Sequence, residues 1–91
     1  PILYPTLDAL VIAPICPHTL TNRPVVVPER AAVEVCLRRG TGVMLTVDGQ
    51  VGMPLEQQDC VRIRRAESTL QLVLVFGNSF FKLLREKLRW G

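Results

Sequence analysis

Asp48-Gly49 sits between two short runs of alternating character, residues 43–47 and 50–51, and no other feature constrains the chain as tightly. A two-residue type I′ turn needs positive φ at both central positions, and its twist matches that of antiparallel strands. Glycine adopts such a conformation without strain. A hairpin is therefore expected here, and its neighbours read the same way. Residues 9–15 form a continuous apolar run interrupted by Pro14, which suits a strand buried on both faces with a sheet edge or a bulge at that end. Residues 25–27 are a short apolar strand closed by Pro28. Residues 32–37 alternate, with Val33, Val35 and Leu37 on one face and Glu34 and Cys36 on the other. Residues 59–65 alternate again, with Val61 and Ile63 inward and Arg62 and Arg64 outward. Residues 70–76 read as a further buried strand closed by Gly77.

The period changes at the end of the chain. Asn78 and Ser79 are good N-cap residues. Phe80, Phe81, Leu84 and Leu88 then repeat at helical spacing, opposite Lys82, Arg85, Glu86 and Arg89. A basic amphipathic helix can lie on a membrane or present itself to a partner, but docking on a sheet is the plainer reading. With 91 residues the chain suits a single domain. The expected fold is mainly β: a two-sheet antiparallel, sandwich-like domain over residues 1–91 with a short C-terminal amphipathic helix.

Composition removes several classes of function. An apolar fraction of 48% is too high for a disordered chain. No apolar run approaches the roughly 20 residues of a membrane-spanning helix. Mean hydropathy is +0.27, which suggests apolar surface that belongs against something else. The net charge of +3 is mild, and its arginines and lysines read as a solvated face before they read as a nucleic-acid footprint. Cys16, Cys36 and Cys60 are odd in number and form no Cys-x-x-Cys pair, so buried free thiols in a reducing compartment are the default. One histidine cannot complete a zinc set. His18 could be a general base only with a carboxylate nearby, and it reads first as a structural loop residue. Asp48 is accounted for as a turn residue. There is no Gly-rich phosphate loop and no nucleophile elbow. On these features alone the chain is a β-rich binding or scaffold piece without a catalytic set, and it looks cut from something longer.

Longer stretches are more specific. Ile15-Cys16-Pro17-His18-Thr19-Leu20 followed by Arg23-Pro24-Val25-Val26-Val27-Pro28, then Val47-Asp48-Gly49-Gln50, then a final Phe81-x-x-Leu84-Arg85-x-Lys87-Leu88-x-Trp90-Gly91 together resemble the C-terminal half of NAD kinase. The likeness covers essentially the whole chain. It departs at Tyr4-Pro5, where family members often carry His-Pro.

The resemblance implies an enzyme that transfers a phosphoryl group from ATP, or in some members polyphosphate, to the 2′-hydroxyl of the adenosine ribose of NAD. NADP is the product, and a divalent metal such as magnesium is required with ATP. It further implies that the Gly-Gly-Asp-Gly-Thr element bearing the presumed base, and the Asn-Glu and Thr-Ala-Tyr segments that grip NAD, lie upstream of Pro1. No catalytic residue and no metal ligand is then expected in these 91 residues, and the piece alone should be inactive. Matched motif by motif, Gln50 falls where the family contacts the dinucleotide, with Asp48 and Gly49 shaping that loop. Cys16 falls where a neighbouring subunit lines the NAD site, with His18 beside it. The implied setting is a cytoplasmic homo-oligomer, a dimer or tetramer, with NAD and ATP as partners and neither nucleic acid nor membrane. The alternative is a stand-alone β-rich module that binds protein or nucleic acid without catalysis.

Overall fold

A computed structural model describes residues 1–73, 77 and 79–90. The elements follow in the order β1 (Ala9–Ile12), β2 (Val25–Pro28), β3 (Val33–Cys36), β4 (Val43–Val47), β5 (Val51–Leu55), β6 (Cys60–Ile63) and α1 (Phe80–Leu88). The mainly β, antiparallel character with one short terminal helix is as expected. Among the described residues, six strands are grouped in three two-stranded ladders, β1–β2, β3–β6 and β4–β5, where the sequence suggested two sheets. The chain divides into two compact units, Pro1–Glu29 with Ala66–Gly91, and Arg30–Arg65.

In the first unit, Tyr4-Pro5-Thr6-Leu7 is a turn closed by the Leu7 N–H donating to the Tyr4 carbonyl at 3.0 Å. Proline at its second position suits the fixed φ that such turns require. The ladder that follows pairs Ala9 with Pro28 and Ile12 with Val25. Pro14 ends β1 earlier than the apolar run suggested. Pro28 is tolerated because a two-stranded ladder leaves an outer edge that needs no N–H donor. Ser79 caps α1 as expected, its hydroxyl accepting from the Lys82 N–H at 3.1 Å. Arg85 and Lys87 occupy the last turn, where cations meet the negative end of the helix dipole. Phe80 and Phe81 pack with Tyr4, at ring-centroid distances of 5.2 Å and 5.7 Å. The helix expected to dock on a sheet thus meets the N-terminal segment. Residues 70–73, read from sequence as the start of a buried strand, are exposed and form no ladder. Residues 74–76 of that reading, and Asn78, lie outside the described residues. An apolar run signals burial, but it does not name the surface that will cover it.

The second unit nests one ladder inside another in sequence. The β4–β5 hairpin lies between the paired strands β3 and β6. Val33, Leu37, Val43, Leu45, Leu55 and Val61 are half-buried, which agrees with the expected inward faces, whereas Val35 and Ile63 are exposed. Where β6 begins, the Gln58 N–H donates to the Leu37 carbonyl at 2.7 Å and the Leu37 N–H donates to the Asp59 carbonyl at 2.8 Å. Two residues thus oppose one, with Gln58 at φ +75°, the position that glycine usually takes in a G1 bulge. Asp59 holds the turn before it, its carboxylate accepting from the Glu56 N–H at 2.8 Å. Left-handed backbone costs an L-residue about 1–2 kcal/mol, and glycine returns roughly 0.5–1 kcal/mol of that as chain entropy. Gln58→Gly is therefore expected to stabilise the protein by up to about 1 kcal/mol. A lower urea midpoint for the variant would contradict the bulge.

Candidate functional site

The β4–β5 turn gathers three of the residues singled out from sequence. Asp48 and Gly49 have φ +52° and +68°, the double positive φ of a type I′ turn. The Gln50 N–H closes it on the Val47 carbonyl at 3.1 Å. Because Val47 is registered opposite Val51, Gln50 is the last residue of the turn and not the first of β5. Asp48, Gly49 and Gln50 are all exposed. A carboxylate that only accepts and an amide that both accepts and donates therefore stand on a backbone held at both ends by paired strands. That set suits hydroxyl and amide groups of a polar ligand. It contains no nucleophile–base pair.

Cys16 and His18 belong to the other unit, in the loop joining β1 to β2. Cys16 is a free, exposed thiol at φ +49°. His18 is exposed beside a hydroxyl–hydroxyl bond of 3.0 Å between Thr19 and Thr21. No catalytic arrangement follows from that loop.

The cysteine expectation needs correction. All three cysteines are exposed rather than buried, and Cys36 is bonded to Cys60 with an S–S distance of 2.00 Å. The two are register partners across β3 and β6. The hydrogen-bonded site at Leu37 and Asp59 makes their neighbours a non-hydrogen-bonded pair, in which side chains approach most closely. Their Cα atoms are 4.0 Å apart. Glu34 shares their face, with its Oε1 3.6 Å from Cys36 Sγ, and Arg62 is registered opposite Glu34. Spacing in sequence, here 24 residues, carries no sign of such a pairing. The signal was in the alternation, which puts Glu34 and Cys36 on one face of β3, and Cys60 and Arg62 on one face of β6.

Residues 1–75 match the protein family described as the ATP-NAD kinase C-terminal domain. The chain belongs to this family. Along its whole length it is 50% identical to the NAD kinase of Koribacter versatilis, 50% to that of Geobacter metallireducens and 49% to that of Geobacter sulfurreducens. It covers 32% of each, so the chain spans about a third of the length of the NAD kinases it matches. The β4–β5 turn and the Cys16–His18 loop both fall within the matched residues of the kinase domain, and α1 follows them. Among the described residues, no helix is long and apolar enough to cross a membrane.

Proposed function

We propose that this chain is the C-terminal β part of an NAD kinase, which moves a phosphoryl group from ATP to the 2′-hydroxyl of the adenosine ribose of NAD and so makes NADP. The observation that carries this reading is the family match over residues 1–75, together with identity of about one half to NAD kinases across the whole chain. Within that enzyme we assign the Asp48-Gly49-Gln50 turn to holding NAD, and the Cys16 loop, with His18, to lining the same ligand from a neighbouring subunit of a homo-oligomer. The cytoplasm is the setting that fits this activity, and ATP or polyphosphate is the donor.

Phosphoryl transfer is catalysed mainly by positioning and by electrostatic stabilisation. This chain's part is positioning. A turn fixed by two positive-φ residues holds the backbone that carries Gln50, so that binding has mainly the side-chain rotamers left to order. The divalent metal that accompanies ATP is a different matter. Among the described residues, the donor atoms close enough to share an ion belong to Glu34, Cys36 and Cys60, two of them joined to each other. Magnesium takes oxygen ligands in near-octahedral geometry, so these residues do not fit it, and no step is assigned through a metal here.

The test is steady-state kinetics of the intact protein. A neutral hydrogen bond contributes about 0.5–1.5 kcal/mol, so Gln50→Ala is expected to raise KM for NAD roughly two- to tenfold. Asp48→Asn is expected to lower kcat more than it changes KM if the carboxylate acts on the reacting hydroxyl. Unchanged NAD kinetics in Gln50→Ala would remove the turn from the site.

A further inference from the structure

We propose that Cys36 and Cys60 form a reversible dithiol–disulfide site, open to exchange with low-molecular-weight disulfides of the glutathione type. Three observations support it. The register of β3 and β6 places the two residues directly opposite each other, with Cα atoms 4.0 Å apart, within reach of a bond between their sulfurs. Both residues are exposed, and exposed disulfides are the ones that exchange readily with small thiols. The face they occupy is polar, carrying Glu34 and Arg62, while the half-buried Val33, Leu37 and Val61 lie on the opposite face. Making or breaking the bond therefore disturbs no apolar packing on its own side.

The chemistry balances in two steps. One cysteine sulfur, as thiolate, attacks a sulfur of the small disulfide, forming a mixed disulfide and releasing one small thiolate. The second cysteine thiolate then attacks the protein sulfur of that mixed disulfide, expelling the second small thiolate. The protons lost by the two cysteines end on the two leaving thiols. The protein loses two electrons and two hydrogens, and the small disulfide gains them. Reduction by excess small thiol runs the same steps backwards.

Closing the bond also ties the ends of a loop with a sequence separation of 24 that contains β4, its turn and β5. A cross-link of this kind restricts the opened states of whatever it encloses. The backbone amides of the hairpin should therefore exchange with solvent more slowly in the oxidised protein.

The experiment equilibrates the intact protein in glutathione buffers of increasing oxidised fraction, labels free thiols with a maleimide, and reads each cysteine by peptide mass spectrometry. Cys36 and Cys60 are expected to lose label together, to appear as one linked peptide pair lacking two hydrogens, and to recover label when the buffer is returned to reduced glutathione. In Cys36→Ser the mixed disulfide should be trapped on Cys60. Hydrogen exchange on oxidised and reduced samples of the unsubstituted protein should show slower exchange over residues 43–55 when oxidised. Persistent labelling of both cysteines in oxidised glutathione would overturn the proposal, as would stable mixed disulfides on each or a bond that excess reduced glutathione cannot open. Identical exchange over residues 43–55 in the two states would remove the coupling to the hairpin.

Discussion

Residues 1–91 produced alone are expected to self-associate, to bind a dye that reports exposed apolar surface, and to form no NADP from NAD and ATP. No described residue is buried, and Ile15, Leu20, Leu70, Leu72 and Val73 are among the most exposed side chains. Fully burying one such side chain contributes about 1.5–3 kcal/mol. A chain that leaves so many in water has not realised the driving force its composition contains, and such exposure suits an interface or an aggregation hazard. The chain also spans about a third of the NAD kinases it matches, and it carries no Gly-rich loop to cradle phosphates. Sedimentation velocity with dye titration checks the first part, and an NADP-specific assay checks the second. A monodisperse monomer that binds no dye would contradict the reading of these faces. NADP made by the bare chain would overturn the division of labour proposed for it.

Gly49→Val is expected to destabilise the intact protein by about 1–3 kcal/mol, the range for a non-glycine residue forced into a sparsely populated backbone conformation. Gly49 has φ +68°, where a β-branched side chain is strained. A Cβ placed there would meet nothing within 4 Å in this chain, so the expected loss is argued from backbone strain. That distinction yields a control. Gly49→Asn, a residue that tolerates the left-handed region, should lose much less than the valine variant. Thermal or urea unfolding of the two variants beside the parent measures both. Equal midpoints for Gly49→Val and the parent would mean that the turn does not hold its positive φ in solution.

The hairpin and the capped helix were legible because their signals are local. Asp48-Gly49 demands a turn from two adjacent residues, and Ser79 caps α1 from within the same turn of helix. Residues 70–73 were misread for the opposite reason: an apolar run records a need for burial, and no strand among the described residues pairs with them. The cysteine pair was missed because register between distant strands is a tertiary property, set here by the bulge at Gln58. Of the candidate site, the geometry of the β4–β5 turn could be read from sequence. The ligand assigned to it came from family likeness, since a carboxylate and an amide on a turn suit many polar molecules.

Nested pairing also leads us to expect an order of events in folding. Hairpins close in about 1–10 μs, and loop-closure entropy grows with the logarithm of the length of flexible chain between the ends. If β3 and β6 met first, they would have to close the whole intervening segment. Once β4 and β5 have paired, that segment is already folded back on itself, and only the short connections on either side remain to be ordered. The inner turn is thus expected to form first, with the outer ladder zipping from it. Strain introduced at Gly49 should then slow folding as well as weaken the folded state, whereas relief of strain at Gln58, in the ladder that forms later, should act mainly by slowing unfolding.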